Sequence, residues 1–441
     1  MRVSTFALAL PLALGAIASA ASTTGVATVT FNKEVLPILQ AKCQECHRAG
    51  EAAPMSLISY NEARPWAKSI KQNVVTKKMP PWFADPHVGK FANDRSLSQQ
   101  EIDTLVAWVD AGAPEGNPKD APAPRKWVEG WNFGKPDMVL EMPTSFSVPA
   151  RGVIDYQYMI IPTHLTEDKW IQSVEVVPGA RAAMHHVIAT IREPGSKWFA
   201  NEPLGVAFVP QKGDRSGTGD GTSGLGGYVP GQSTPPTNAP RRATLLKAGS
   251  DIVLQLHYTT NGTPAVDQTK LGLIFAKEPP KDVLVGGNSA TLRLNIPAGD
   301  PDYKVEASST VQYDCDLVSM MPHSHLRGKA FEYRIVRPNG ESETVLRVPK
   351  YDFNWQLTYY LAQPLHLEKG TKVQVFAEFD NSADNKYNPD PTKEVHWGEQ
   401  TFEEMMMGYY NVVVKAENMP TGGMPKGRRP AAKSDSGAAL E

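Results

Sequence analysis

The chain has 441 residues, of which 41% are hydrophobic and 21% are charged, and its formal net charge at pH 7 is −2. This length predicts two to three domains with substantial hydrophobic cores. A near-neutral chain lacks the basic surface that nucleic acid requires, so we expect no nucleic-acid partner. The three cysteines cannot form a disulfide framework, because two of them belong to the motif at residues 43–47 described below.

The first 20 residues have the pattern of a secretory signal peptide. Arg2 supplies the positive start, residues 6–17 form the apolar run, and Ala18-Ser19-Ala20 offers small residues for cleavage. No later run of the sequence has the apolar length of a membrane span. We therefore expect an exported protein, periplasmic or secreted, without a membrane span.

Residues 30–116 carry helical signals. The sequence Ser98-Gln99-Gln100-Glu101 is a capping box, and apolar residues then recur at helical spacing over residues 102–109. Gly112 and Pro114 supply a stop. We predict a helical domain over residues 30–116 and a linker over residues 117–134, because residues 117–126 are rich in Pro, Ala and Lys.

A Cys-x-x-Cys-His motif lies in this helical segment. The thiols of Cys43 and Cys46 can form thioethers to a haem, and His47 can then bind its iron. We predict a covalent haem c with Met79 as the second axial ligand, because Met79 lies in a proline-stiffened loop. Met55 is the alternative ligand, although it lies only eight residues after His47. The segment resembles a small class I cytochrome c.

From about residue 135 the hydrophobic pattern changes to the period of two that indicates β-strands. Pro338-Asn339-Gly340 has the composition of a hairpin turn between two such runs. The region is longer than one sandwich needs, so we divide it into domains over residues 135–280 and 281–417. Residues 211–240 are predicted to be a long surface loop, and residues 418–441 a disordered tail.

Three histidines form a first candidate metal group. His185 and His186 are adjacent, and a buried pair of imidazoles is costly without partners. His257 lies in a clear strand over residues 251–258. Three imidazoles suit copper or zinc, so we predict a metal site here.

A second candidate metal group combines two histidines with a thioether. His323 and His325 share one face of a predicted strand, because strand side chains alternate with a period of two. The run Met405-Met406-Met407 can supply a methionine, which favours copper over zinc. Alternation alone does not separate Met405 from Met407. Cys315 could suggest a blue-copper site, but we interpret it as a buried structural thiol.

These motifs occur in the order found in the copper type II, ascorbate-dependent monooxygenases, which residues 140–415 resemble. The resemblance implies two jelly-roll-like β-sandwiches with one copper on each. It also implies that the first histidine group holds an electron-storing copper, while His323, His325 and Met405 hold the copper that binds oxygen. Gln255 and Tyr409 match positions near the sites. The motifs are Met184-His185-His186-Val187, Gln255-Leu256-His257-Tyr258, His323-Ser324-His325-Leu326-Arg327-Gly328 and Glu403-Glu404-Met405.

The chain departs from the peptide-hydroxylating member of that family at the substrate clamp. That enzyme has an arginine two residues before its His-x-His sequence, where this chain has Met321. It has an asparagine two residues after its ligand methionine, where this chain has Met407. A methionine cannot bind a carboxylate as arginine does, so we expect a small, largely uncharged hydrophobic substrate.

The sequence thus predicts a multidomain protein with a small all-α cytochrome c domain followed by two antiparallel β-sandwich (jelly-roll-like) domains. The predicted function is monooxygenation, in which O2 and two electrons convert a C–H bond of a small organic substrate to an alcohol, with water as the other product. Haem c would pass on electrons from a donor protein or a small reductant to two copper ions. The main alternative is a non-catalytic periplasmic haem/copper electron-transfer or copper-binding protein. A multicopper oxidase is a weaker alternative, since the sequence has no His-Cys-His ligand run.

Overall fold

The computed structural model describes residues 28–210, 222–231, 242–278 and 280–418. The predicted signal peptide, most of the predicted loop at 211–240 and nearly all of the predicted tail lie outside these residues. In the part described, no helix has both the length and the apolar character needed to cross a membrane. The described residues form a helical N-terminal segment and two β units, each with its own hydrophobic core.

The N-terminal segment consists of a π-helical turn at Phe31–Val35 and short α-helices. The predicted capping box at Ser98 is confirmed, because the Oγ atom of Ser98 accepts the N–H group of Glu101. A second capping box forms at Ser59, whose Oγ atom accepts the N–H group of Glu62. The helices pack around a small core that includes Trp108, whose indole N–H donates to a backbone carbonyl. The helices are α1 (Leu36–Lys42), α2 (Tyr60–Ala63), α3 (Ala67–Val75) and α4 (Gln99–Asp110).

The predicted fold class is wrong, because the N-terminus is not an all-α cytochrome c domain and most of the ordered elements are β-strands in several sheets. The helices have only 4 to 12 residues. The chain between α3 and α4 also leaves the helical core: Trp82, Phe83 and Phe91 pack against the second β unit, where Phe91 forms a bridge with Leu361. A helix cap and an apolar repeat identify a helix, but they do not show that the surrounding segment folds as a separate domain.

The rest of the described chain is built from strands. Alternation is clear in the strand Lys372–Phe379, where every second side chain is buried. The strands are β1 (Met138–Glu141), β2 (Phe146–Val148), β3 (Gln157–Pro162), β4 (Lys169–Val177), β5 (Met184–Arg192), β6 (Thr222–Tyr228), β7 (Arg242–Leu246), β8 (Asp251–Tyr258), β9 (Ala265–Asp267), β10 (Lys270–Phe275), β11 (Asp282–Thr291), β12 (Asn295–Ile296), β13 (Tyr303–Thr310), β14 (Cys315–His323), β15 (Gly328–Val336), β16 (Ser342–Val348), β17 (Tyr359–Leu367), β18 (Lys372–Phe379), β19 (Val395–His396) and β20 (Met406–Lys415).

One eight-stranded sheet, ordered β1-β10-β4-β7-β11-β20-β14-β17, runs through both β units. Its first half shares a core with the sheet β3-β8-β5-β6, and its second half shares a core with the sheet β13-β18-β15-β16. The parallel pairing of β7 with β11 joins the halves, with Arg242 opposite Asp282. Backbone hydrogen bonds between β7 and β11 therefore connect the two β units, and they fix the position of one unit relative to the other.

Part of the predicted surface loop is instead a strand. Residues 222–228 form β6, which pairs antiparallel with β5 from Val187 to Arg192. The Gly and Ser content of this stretch predicts a loop, yet pairing with a buried neighbour stabilises an extended backbone there. Cys315 lies in the core of the second unit and is 4% exposed, which agrees with its interpretation as a structural thiol.

Candidate metal centre

The first histidine group is assembled by an irregularity between two paired strands. Strand β5 runs antiparallel to β8, so that Met184 pairs with Tyr258 and His186 pairs with His257. His185 is thus an extra residue with no opposite partner, as in a β-bulge. A bulge re-aims side chains, so two consecutive histidines can reach one group. One ligand atom from each of His185, His186 and His257 lies within 4.8 Å of the others.

Several ring nitrogens of this first group fit a metal ion. Nδ1 of His185 lies 3.3 Å from Nδ1 of His186. On the other side of the His186 ring, Nε2 lies 3.2 Å from the side-chain oxygen of Gln255. Within the described residues, the buried Nε2 of His185 and Nδ1 of His257 have no hydrogen-bond partner. Buried polar atoms without a partner are rare in folded proteins. A metal ion bound by these nitrogens would remove that cost.

Burial keeps the imidazoles of both histidine groups neutral. It lowers the pKa of His185 to about 4, with a smaller effect from nearby His323, and it lowers the pKa values of His186 and His257 well below the usual value. Burial likewise lowers the pKa of His323 to about 4 and that of His325 to about 3. A neutral imidazole keeps the lone pair that binds a metal, so both groups are ready to bind metal at pH 7.

The second histidine group lies where β14 ends. The rings of His323 and His325 are nearly perpendicular, and their centroids are 5.4 Å apart. Nδ1 of His323 lies 2.9 Å from the side-chain oxygen of Gln356, and Nδ1 of His325 lies 3.2 Å from the carbonyl oxygen of Glu403. These acceptors favour protonation at Nδ1, which leaves Nε2 of each ring with a free lone pair. The buried Nε2 of His325 has no hydrogen-bond partner within the described residues.

The pairing register of β14 and β20 excludes one of the three consecutive methionines as a ligand of the second group. Met407 pairs with His323 across β14 and β20, and Met405 lies two residues before Met407. Met406 is fully buried in the core of the second unit. Because neighbouring side chains in a strand point to opposite faces, Met406 faces away from the histidines. Met405 and Met407 remain the candidate sulfur ligands, and Met405 stays our prediction.

Gln255 and Tyr409 lie beside different histidine groups. The amide nitrogen of Gln255 donates to the hydroxyl of Tyr158, which orients its oxygen towards His186. The ring centroid of Tyr409 lies 6.2 Å from that of His323, and burial raises the pKa of its hydroxyl to about 12. The hydroxyl of Tyr409 therefore stays protonated near neutral pH.

A buried acidic residue beside the second group, Glu404, lies in a motif of the sequence that carried no predicted role for it. Glu404 is 0% exposed and accepts backbone N–H groups from His325, Arg327 and Met405. Burial raises the pKa of Glu404 to about 7, although the three N–H groups oppose this shift. The signal that could have identified it is an acidic residue directly before an apolar Met run. Glu404 links the His-x-His turn to the segment that carries Met405.

A phenylalanine that the sequence also did not reveal lies between the two histidine groups. The ring of Phe353 stacks on His185 with a centroid separation of 4.7 Å and an interplanar angle of 25°. Its centroid lies 6.1 Å from those of both His257 and His325. The two groups, one from each β unit, therefore face each other across a single side chain.

The Cys-x-x-Cys-His motif forms a tight turn after α1. The N–H groups of Cys46 and His47 both donate to the carbonyl of Cys43, and the cysteines are free thiols. Nδ1 of His47 lies 3.2 Å from the carbonyl oxygen of Met55, which leaves Nε2 available to an iron. Met79 follows α3, and its N–H donates to Asn73. The turn presents both thiols and an oriented imidazole, which are the groups that a covalent haem requires.

Comparison with known protein families gives a match within the second β unit. Residues 282–417 match the family described as "Copper type II ascorbate-dependent monooxygenase, C-terminal domain". This match implies a copper-dependent monooxygenase, which is an oxidoreductase that uses O2 and a substrate. It contains His323, His325 and the three consecutive methionines, whereas the first histidine group lies outside it.

Comparisons with curated sequences and solved structures carry no argument about the function of this chain. No curated protein matches the chain. The crystal structure of the STIV MCP matches 64% of this chain and 95% of its own at 8% identity, with a TM-score of 0.25. A structure of the infectious bursal disease virus VP2 subviral particle matches 67% of this chain and 76% of its own at 8% identity, with a TM-score of 0.19. TM-scores this low do not establish a common fold.

Proposed function

We propose that this protein is an exported copper-dependent monooxygenase that hydroxylates a C–H bond of a small substrate. The observation that carries the proposal is the pair of histidine groups, whose buried, neutral imidazoles face each other across Phe353. The family match to the unit that holds the second group supports copper rather than zinc. Bound copper would supply one-electron redox chemistry and the activation of O2.

The two groups have different proposed tasks. His185, His186 and His257 offer only nitrogen ligands and would hold a copper that stores an electron. His323, His325 and Met405 add a soft thioether, which favours Cu(I), and would hold the copper that supplies the chemistry with O2. Gln356 fixes the ring of His323, and the carbonyl of Glu403 fixes the ring of His325. These partners keep the ligand nitrogens in place before metal arrives.

The surface beside the second group favours an apolar substrate. Met321 pairs with Tyr409 in the register of β14 and β20, two positions from the pair formed by His323 and Met407. Residues two apart in a strand share a face, so these four side chains lie on one side of the sheet. A substrate carboxylate would need a bidentate cation here, and this face offers thioethers and one phenol instead. We propose a small, largely uncharged organic substrate.

The decisive experiment supplies isotopically labelled O2. Reduced, copper-loaded protein is mixed with ¹⁸O2 and either uncharged aromatic and aliphatic compounds or glycine-extended peptides. We expect products from the uncharged compounds that each carry one ¹⁸O atom, and no hydroxylated peptide. Efficient peptide hydroxylation would contradict the substrate class. Copper that is reoxidised without any oxygenated product would favour the alternative, a non-catalytic electron-transfer protein.

A haem c held by Cys43, Cys46 and His47, with Met79 or Met55 as the second axial ligand, would supply the electrons. The position of the Cys-x-x-Cys-His motif in the molecule supports this role. A Cβ atom placed on Gly231 would lie 3.8 Å from Sγ of Cys46 and 3.6 Å from the ring of Trp355. Trp355 is two residues from Phe353, so the motif lies close to the loop that contacts both histidine groups. An electron-donor protein or a small reductant outside the chain would reduce the haem.

Replacing Cys43 and Cys46 together by alanine is expected to abolish covalent haem while both β units stay folded. The thiols form the thioether links, and the β cores are separate from the helical core. The absorbance of denatured protein measures covalent haem, and turnover is compared with a protein donor and with ascorbate. Only the donor-driven turnover should fail.

Cys315→Ala is the matched control, since the third cysteine lies in the second β core and its loss should leave the haem intact. If the variant that lacks both Cys43 and Cys46 turned over with the protein donor at the wild-type rate, electrons would not enter through the haem.

A further inference from the structure

The loop over residues 349–358, which we call the bridging loop, connects β16 to β17 and contacts both histidine groups. Its Gln356 bonds to His323, a residue of the second group in the same β unit. Its Phe353 stacks on His185, a residue of the first group in the other β unit. The same ring packs edge-on towards His325, with an interplanar angle of 82°. One short loop therefore reaches ligands of both groups.

The position of Phe353 is fixed by bonds within the second β unit. The N–H of Trp355 donates to the carbonyl of Asp352 at 2.9 Å, which closes a turn with Phe353 near its tip. The side chain of Asp352 accepts two further bonds from Asn354. Phe353 is thus held in a turn that these bonds within the second β unit close.

The bridging loop is also tied to the backbone between the two histidines of the second group. The hydroxyl of Tyr351 donates to the carbonyl of Ser324 at 3.0 Å and accepts the N–H of the same residue at 3.2 Å. Ser324 separates His323 from His325 in the sequence. A displacement of the second group would therefore move the loop and the ring of Phe353 with it.

We propose that Phe353 is a positioning residue shared by both metal groups, holding His185 and His325 at a fixed separation and orientation. The inference rests on the proposed function in assuming copper at both groups. A phenyl ring suits this role because it has no hydrogen-bonding atom, so it restrains imidazole planes without occupying their nitrogens. Phe353 is only partly buried.

The consequence is that one substitution in the bridging loop should change both copper sites together. Phe353→Ala removes the stacked ring and lets water and other rotamers enter the space. With Cu(II) in both groups, pulsed dipolar EPR should give one narrow copper–copper distance distribution for the wild type. The distribution for Phe353→Ala should be broader. A side chain that only supports its own loop would not set this distance.

Single-site backgrounds separate the two effects. His323→Ala leaves copper in the first group, and His185→Ala leaves copper in the second. Adding Phe353→Ala to each background should change the Cu(II) hyperfine pattern and weaken Cu(I) binding, measured by chelator competition, by about threefold to tenfold. Phe353→Tyr keeps the ring and should restore both spectra and both affinities.

Phe402→Ala is the matched control, because this phenylalanine of the second unit is 59% exposed. It should leave the copper–copper distance and both affinities unchanged. Normal copper loading with an unchanged distance in Phe353→Ala, or a change confined to one group, would overturn the inference alone. Wild-type protein that binds no copper at either group would overturn the proposed function and this inference with it.

Discussion

His323→Ala is expected to release one of two bound coppers and to reduce hydroxylation by about a thousandfold or more. The variant leaves one imidazole and one thioether in the second group, which is too few ligands to hold the metal at which O2 reacts. The first group contains no atom of His323, and its copper should remain. Metal analysis and the EPR spectrum of the remaining Cu(II) measure the first result, and product formation measures the second.

His366→Ala provides the control for this experiment. His366 lies on β17 of the same sheet, its side chain is 63% exposed, and it pairs with Asp316 at the surface. Its replacement should leave both coppers and the activity unchanged. Two tightly held coppers in His323→Ala, or full activity with one, would show that the second group is not the reactive site.

The β content and the histidine groups could be predicted from the sequence because both depend on local patterns. Alternation such as that in residues 372–379 marks strands directly. The fold class could not, because it depends on contacts between distant residues. Nothing in the local pattern shows that Trp82 and Phe91 pack on the second β unit or that β7 pairs in parallel with β11. The local pattern of the short helices therefore predicts a separate all-α domain that the structure does not contain.

The residues that support the candidate site were hidden for the same reason. The bulge at His185 arises from a shift in the pairing register between β5 and β8. The sequence of either strand alone does not show this shift. Gln356 and Phe353 lie in a loop without a recognisable motif, yet the fold places them on histidines 33 and 168 positions earlier in the sequence, His323 and His185. Ligand residue types can be read from a sequence, whereas their partners require the assembled strands.

Glu404→Ala is expected to destabilise the second β unit by about 3–5 kcal/mol and to abolish copper binding at the second group. The side chain accepts three buried N–H groups, and each would lose its partner in a site closed to water. His325 and Met405 would then lose the link that holds them together. Denaturant unfolding of metal-free protein measures the first effect, and metal analysis measures the second. Unchanged stability would mean that water replaces the carboxylate.

Glu404→Gln tests the charge of this side chain at nearly constant volume. Burial raises the pKa of Glu404 from 4.5 to about 7, so between these pH values the folded protein binds more protons at this site than the unfolded chain. The contribution of Glu404 to the free energy of unfolding is therefore complete below pH 4.5 and is lost as the pH rises through 7.

The buried histidines have lowered pKa values, so their contribution to the free energy of unfolding rises with pH, but it is the same in the wild type and in the variant. The difference in unfolding free energy between wild type and Glu404→Gln should therefore fall as the pH rises from 4.5 to 7. A constant difference for Glu404→Gln would contradict the raised pKa.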